Sequence, residues 1–599
     1  MNRLSPLAIF LAAAMLADVA QATPYPGGVW EPGPAKYGSV VTNEVSITMD
    51  DGVILRANIG FPTELSTGKR SAEKFPVIIE FTPYVFAHPD PYFNEHGYIY
   101  AVVRPRGTCN SGGEVEMFTP RDGLDGKAIV NWAAHQLTES DGRIAMVGAS
   151  YPGVLALTTA AQLGPNSPVK AIAATATGLN QVNRESFMVD GLLTSGFWAY
   201  TSFGAQSWGN SPAAIRFVDR FKNDVQTGGD AAYDRTFWHD RQPLRWAKNI
   251  GDTGIPILMW AGWQDIVEDG TVRLYAALQN NYAKKPLFGP MVPQQPVTAK
   301  YQIILGNWGH ASGIHSAFIL EWLDTWVKGV DTKIAGTQKP MHLYEPGREC
   351  WINLAGYPSV ENYITWHLDD QNKLSLNKVK NNGHSTLVWG DPAKPESVLS
   401  FTTPPLAAGA TLAGPMSATI YARSSNSNLE LIAKLYDVAP DGKATLVTKG
   451  AMLGSQRELD KEKSWTDHHG IITWPWPKLE RDNYLEPGKV YRFDLALFPR
   501  QWAINPDHRL RLDLTTQSPA GVNGLSTDIS NLNEPQGKTI PGATYDIMYG
   551  KKWPSTLNLP QLAWKVFPEV RAAVPPPTSA QRNPMGSDFV LPLDWDEDR

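Results

Sequence analysis

The sequence predicts a doubly wound, mostly parallel α/β sheet that is interrupted by a helical insertion and followed by an all-β sandwich. Three observations carry this expectation. From residue 75 to residue 328, short and almost wholly apolar runs alternate with longer amphipathic ones, as parallel strands covered by helices on both faces require. One interval in that stretch, between residues 175 and 255, has no clear strand and is dense in aromatic residues. Beyond residue 332 the apolar period falls to two, with long Pro- and Gly-rich connections between the runs.

The elements follow in order. VSITMDDGVILRANIGF (45–61) reads as a hairpin turned at Asp51-Gly52. The strand candidates are FPVIIEF (75–81), YIYAVV (98–103), RIAMVG (143–148), VKAIAAT (169–175), IPILMW (255–260) and YQIILG (301–306). Helices are expected over 122–136, directly after Ser150, over 270–282 and over 314–329. The aromatic interval reads as a helical lid over the strand ends, where open α/β sheets place their ligand crevice. Phe197 and Trp198 within it are candidate substrate contacts. In the last part, 428–438, 490–498 and 508–516 alternate apolar and polar residues, which suggests a jelly-roll sandwich. The expected divisions are a leader (1–22), a first sheet segment (23–177), the cap (178–250), a second sheet segment (251–331) and the sandwich (332–599).

The leader expectation rests on Arg3, an apolar run from Leu7 to Ala17, and small residues at Ala20 and Ala22. This is the pattern of a secretory signal peptide cleaved after Ala22, too short for a bilayer span, so the mature chain is expected in a periplasm or outside the cell. A net charge of -6 over 599 residues, with no long basic run, excludes nucleic acid and anionic membranes as expected partners. Cys109 and Cys350 are the two cysteines; export permits a disulfide between them without requiring one. No His or Cys cluster has metal-ligand spacing, so neither a metal nor an organic cofactor is expected. The sequence leaves the oligomeric state open.

The chemistry centres on Gly148-Ala149-Ser150-Tyr151-Pro152-Gly153. In a chain this rich in glycine and serine, such a framed serine arises by chance roughly one time in four, so context must decide. Ser150 follows an apolar strand and precedes the helix VLALTTAAQLG, the strand–turn–helix arrangement of a nucleophile elbow. The plain alternative is a serine at a helix start. A serine hydroxyl needs a base and an orienting carboxylate, which in α/β-hydrolases follow in the order acid, then histidine. Asp265 in Gly262-Trp263-Gln264-Asp265 and His310 in Asn307-Trp308-Gly309-His310 each sit just after a strand candidate. His315 is a nearby decoy inside the next helix pattern.

With these motifs the chain resembles the cocaine esterase-like family, relatives of X-Pro dipeptidyl-peptidases, α-amino acid ester hydrolases and cephalosporin-type acylases. FTPY (81–84), VRPRGTCNSGG (103–113), DGLDGKAIVNWAAHQ (122–136), GASYPG (148–153), GWQD (262–265), GNWGH (306–310) and TLAGP (411–415) carry the resemblance. It implies an α/β-hydrolase fold with Ser150 as nucleophile, Asp265 as acid and His310 as base. It also implies an oxyanion hole made by the Tyr84 phenol and the Tyr151 backbone N–H. Arg104-Pro105 depart from the family, which has an acidic and then an aliphatic residue there, and Cys109 is unusual. Asp122 and Asp125 match the family but read as scaffold, Asp122 as a helix cap. Glu268 and Asp269 resemble carboxylates that hold a substrate ammonium in the amino ester hydrolases, although their register is shifted. Acids at a helix start are the plain alternative.

The expectation for function is therefore an exported serine hydrolase acting on a small acyl ester or amide. The alternatives are an X-Pro dipeptidyl aminopeptidase and a carbohydrate-binding protein with a vestigial triad, its 21 tryptophans serving as sugar platforms. The acyl and leaving groups are not legible.

Overall fold

A computed structural model describes residues 32–175, 182–193, 195–265, 267–310, 316–517 and 542–569. The expected leader and His315 lie outside them.

Ten strands form the main sheet: β1 (Gly38–Thr48), β2 (Ile54–Thr63), β3 (Phe75–Phe81), β4 (Ile99–Val103), β5 (Ser140–Ala149), β6 (Val169–Thr175), β7 (Ile257–Gly262), β8 (Tyr301–Gly306), β9 (Met341–Glu345) and β10 (Cys350–Leu354). Their order is β1-β2-β4-β3-β5-β6-β7-β8-β9-β10. From β4 to β9 all neighbours run parallel. The β1–β2, β2–β4 and β9–β10 pairs are antiparallel.

The inner strands β3, β4, β6, β7 and β8 are almost wholly apolar because both faces are covered. Along β3, Val77 and Ile79 enter a core shared with helices α1 (Pro120–His135), α2 (Tyr151–Ala160) and α5 (Glu268–Ala283). Ile78 enters a second core, on the opposite face, with α6 (Ser316–Leu323). That face is locked by Trp322 of α6, whose indole N–H donates to Ile172 O at 2.9 Å. Between β6 and β7 lies the helical insertion, which includes α3 (Ser195–Ser207) and α4 (Pro212–Gln226). It docks on the loops that follow β3 and β4: Val85 N–H donates to Ser207 O and Cys109 N–H to Trp208 O, both at 2.8 Å.

The C-terminal part is mostly β. An eight-stranded sheet containing Ala410–Ser424 and Tyr491–Ile504 packs on a four-stranded sheet containing Glu430–Val438 and Arg509–Thr515. Leu412, Ile420 and Phe493 of the first share one core with Leu431 and Leu512 of the second. Polar contacts tie this part to the first: Gln501 donates to Glu345 Oε1 on β9 at 2.6 Å, and the Trp465 indole donates at 2.6 Å to Phe288 O in the loop between α5 and β8.

Two differences from the sequence expectation stand out. The main sheet continues past residue 331, because β9 pairs with β8 and then turns back into β10. This hairpin fills both faces, with Leu343 and Ile352 in one core and Tyr344 and Trp351 in the other. The described part of the helix expected over 314–329 is α-helical over Ser316–Leu323 and then widens into a π-helical turn over Asp324–Lys328. Cys109, in the loop after β4, and Cys350, in β10, are both free thiols. Among the described residues no helix is long and apolar enough to cross a membrane.

Candidate active site

Ser150 stands alone between the end of β5 and the start of α2. Its backbone sits at φ 64°, ψ -123°, a conformation that costs a non-glycine residue about 1–3 kcal/mol and persists only where surroundings enforce it. Here the Ser150 N–H donates to Thr175 O at 2.8 Å, and Ser150 O accepts from Val154 N–H at 3.1 Å. The turn also needs Gly148, since a Cβ there would lie 2.4 Å from the Pro152 carbonyl carbon. The Ser150 side chain makes no capping bond to its helix, so the plain reading of a helix-start serine does not describe it.

The Asp265 and His310 loops are laced together before either side chain is considered. Trp263 N–H donates to Gly306 O at 2.8 Å, and Gln264 N–H donates to Trp308 O at 3.2 Å. Trp308 stacks on Trp260 with ring centroids 5.4 Å apart, and its indole donates to Ala261 O at 3.0 Å. Rows β7 and β8 thus deliver their following loops side by side. His310 Nδ1 lies 2.7 Å from Asp265 Oδ1, and His310 Nε2 lies 3.0 Å from Ser150 Oγ.

A carboxylate accepts only, so Asp265 fixes the proton on Nδ1 and leaves Nε2 of the neutral ring to accept from the serine hydroxyl. Burial disfavours the imidazolium, but the charge and hydrogen bond of Asp265 outweigh it and hold His310 above the usual histidine range. Asp265 is 1% exposed and is itself steadied by Val267 N–H at 3.1 Å.

Tyr84 sits in the loop after β3 with its phenol donating to Ser150 Oγ at 3.4 Å. The Tyr151 backbone N–H reaches the same phenol oxygen. Burial pushes the Tyr84 phenol above its ordinary value, against the opposing hydrogen bonds of Ser150 and Tyr151, so it remains a donor across working pH. The phenol oxygen thus sits between the Tyr151 N–H, from which it accepts, and Ser150 Oγ, to which it donates. On the insertion side, the Tyr151 ring packs on Phe118 at 4.3 Å and on Trp208 at 5.5 Å. Met117 and Phe118 both have positive φ, 49° and 67°, and the Tyr200 hydroxyl donates to Met117 Sδ at 2.8 Å.

The other sequence candidates fall elsewhere. Glu268 is fully buried and its carboxylate is bonded to Arg500 of the sandwich. Asp269 pairs with Arg273 at 3.3 Å, and that guanidinium lies 3.8 Å over the Trp474 ring. Both acids are thus answered by arginines of this chain, and the ammonium-binding expectation gives way to internal pairing. Phe197 is fully buried, with its ring against Phe221 at 5.6 Å and Phe187 at 6.3 Å, a packing position inside the insertion. The Trp198 side chain lies outside what is described. Asp122 is not the cap of α1, because Thr119 occupies that position; it lies in the first turn, where burial pushes it up to about 7. Asp125 accepts both arms of Arg106, at 2.6 and 2.7 Å, as scaffold.

Two residues carry more than the sequence suggests. Glu185 is buried at the start of the insertion, accepts from Gly270 N–H at 2.8 Å, and is raised well above the carboxyl range by burial and then by Asp269. No local pattern marks it, since its neighbours come from across the fold. Arg104, the departure noted in the sequence, donates into the Tyr84 loop.

A parallel sheet with a strained serine between strand and helix, followed by a carboxylate loop and a histidine loop that meet it, defines the α/β-hydrolase class. Residues 51–312 match the model of the X-Pro dipeptidyl-peptidase (S15 family), and residues 328–557 match that of the X-Pro dipeptidyl-peptidase C-terminal non-catalytic domain. The chain belongs to this family of serine hydrolases. It is 22% identical to cocaine esterase from Rhodococcus over 87% of this chain and 98% of that protein. Two mycobacterial proteins with serine-esterase names, from Mycobacterium tuberculosis and Mycobacterium bovis, are 20% identical over 45% of this chain. The match covers 46% of each, so the chain spans about half the length of those relatives. Among solved structures, a CocE/NonD family hydrolase from Staphylococcus aureus has the same fold, with TM-score 0.69 and 18% identity, covering 88% of this chain and 94% of that one. An α-amino acid ester hydrolase superposes with TM-score 0.66 and 18% identity, covering 92% and 100%.

Proposed function

We propose that this chain hydrolyses an ester or amide bond of a small acyl substrate through an acyl-enzyme on Ser150. The observation that carries the proposal is the contact of Ser150 Oγ with His310 Nε2 at 3.0 Å, continued by His310 Nδ1 to Asp265 Oδ1 at 2.7 Å. Ser150 Oγ attacks the carbonyl carbon while its proton passes to Nε2. The carbonyl oxygen becomes an oxyanion held by the Tyr84 hydroxyl and the Tyr151 N–H. His310 returns the proton to the leaving alcohol or amine as the bond to it breaks. Water then attacks the acyl-enzyme, giving its proton to His310, which passes it to Ser150 Oγ as the bond to the acyl carbon breaks and the acid leaves. Asp265 keeps the ring oriented and stabilises the imidazolium at each step. Export of the mature chain, with cleavage after Ala22, remains part of this proposal on the strength of the sequence alone.

The test is labelling with a fluorophosphonate, followed by peptide mass mapping, together with a panel of nitrophenyl esters, β-lactam side-chain amides and X-Pro amides. Ser150 should be the modified residue, and Ser150→Ala should lose both label and turnover. Turnover of Ala-Pro or Gly-Pro amides above all esters would instead make the chain an X-Pro dipeptidyl aminopeptidase. An unlabelled Ser150 in folded protein would leave the vestigial-triad alternative.

A further inference from the structure

Resting on the assignment of Tyr84 to the oxyanion hole, we infer that Arg104 is a positioning residue for that hole, holding the loop at residues 82–87 in place. Arg104 comes directly after β4, and its own N–H donates to Arg56 O at 2.8 Å, so its backbone is fixed to the sheet. The side chain is buried, 6% exposed. Its guanidinium reaches across the end of β3 and donates through Nη1 to Tyr84 O and, at 3.5 Å, to Thr82 O. Through Nη2 it donates to Ala87 O at 2.6 Å. Three carbonyls of one loop therefore converge on one planar fork.

The contacts with Thr82 O and Ala87 O are buried, where a C=O without a donor is costly; Tyr84 O accepts in addition from Ala87 N–H at 3.0 Å. The loop is also held internally, by that Ala87–Tyr84 bond and by Tyr84 N–H to Thr82 Oγ1 at 3.3 Å, and externally by Thr82 N–H to Val103 O at 2.9 Å and by Val85 N–H to Ser207 O at 2.8 Å, the last of these on the insertion. Arg104 ties the carbonyl side of the loop to the sheet that also carries Ser150. The guanidinium charge is faced by the carboxyl of Glu80 on β3, which accepts from Tyr100 at 2.9 Å, and by the Cys109 thiol.

An oxyanion donor has to be placed to within about 0.5 Å, and a displacement near 1 Å can cost about 100-fold in rate. An ammonium is a point charge and cannot present the spread, planar set of donors that a guanidinium offers. Arg104→Lys is therefore expected to keep the fold but let the Tyr84 loop shift.

The experiment is a double-mutant cycle on nitrophenyl acetate hydrolysis with Arg104→Lys, Tyr84→Phe and the double variant, with thermal midpoints recorded for each. Arg104→Lys should lower kcat by about 10- to 100-fold with KM within about twofold. In the Tyr84→Phe background the same change should cost less than about threefold, because the group being positioned is already gone. Arg104→Met, if it folds, should follow the same cycle with a larger first step. Wild-type kcat in Arg104→Lys alongside a slowed Tyr84→Phe would overturn the inference and leave the oxyanion assignment standing. An undiminished loss in the double variant would overturn it as well, since Arg104 would then act by another route. Wild-type kcat in Tyr84→Phe would remove the oxyanion assignment itself, and this inference with it.

Discussion

Glu268, in the first turn of α5, is bonded to Arg500 on a strand of the β sandwich, and both side chains are buried. The pair joins the two halves of the molecule three residues beyond Asp265. Arg500 is further held by Val447 O and Pro499 O, each at 2.8 Å. Burial drives the Glu268 carboxyl well above its ordinary range, and the Arg500 contact opposes that shift.

Arg500→Met should therefore destabilise the protein by about 3–5 kcal/mol, the usual consequence of stranding one buried charge. The loss should also depend on pH. Without Arg500 nothing opposes burial, so the folded pKa of Glu268, already above its unfolded one, rises further. Stability is then complete below the unfolded value and falls as pH rises toward the folded one, by about 1.4 kcal/mol per unit. Thermal midpoints between pH 5 and 8 should diverge from wild type as pH increases. The double variant Glu268→Gln/Arg500→Met should lose that slope.

Catalysis should show a different pH signature. As the proposed base, His310 works only when neutral, and Asp265 holds its pKa above the usual histidine value of about 6.5. The kcat/KM profile should rise with pH through a midpoint above that value. In Asp265→Asn burial acts unopposed, so the midpoint should fall below about 6.5, while the rate drops by about 10³–10⁴ because the ring loses its orientation. A midpoint unchanged between the two proteins would remove Asp265 from its proposed role.

Tyr84→Phe isolates the phenol donor. Its hydroxyl lies 3.4 Å from Ser150 Oγ and also accepts from the Tyr151 N–H, so the change removes these two hydrogen bonds and almost no volume. kcat on a nitrophenyl ester should fall by about 10²–10³ with KM little altered, and the thermal midpoint should stay close to wild type.

Much of this architecture is legible in the sequence because it is local. The run of β5, Gly148, Ser150 and α2 is contiguous, and Asp265 and His310 each follow a recognisable apolar strand. Parallel neighbours with short following loops then bring the acid and histidine loops side by side. What escapes the sequence depends on partners far along the chain. Glu268 looks like a helix-start acid until Arg500, 232 residues away, is seen against it. Phe197 looks like a lid contact until the insertion folds and encloses it. The β9–β10 hairpin lies beyond the expected boundary, and its pairing with β8 assigns it to the main sheet.

The two glycines of GNWGH look alike in sequence and should behave oppositely, and Gly262 sharpens the contrast. A Cβ on Gly262 would stand 1.8 Å from Trp308 O, and one on Gly306 would stand 2.1 Å from the Trp308 ring. Ordinary contact needs at least 3.4 Å, so either alanine forces the Trp308 segment outward by more than 1 Å. Asp265 and His310 lie three and two residues from the displaced positions, and their 2.7 Å bond cannot survive such a shift. Gly262→Ala should lose about 100-fold or more in kcat/KM and about 1–3 kcal/mol in stability through overpacking. Gly309 adjoins His310 itself, yet a Cβ there meets nothing within 4 Å and its backbone is not left-handed. Gly309→Ala should keep kcat/KM within about threefold of wild type. Fluorophosphonate labelling rates and thermal midpoints for the two variants, measured side by side, check the claim that the Trp308 wedge, rather than proximity to the histidine, governs how these loops meet.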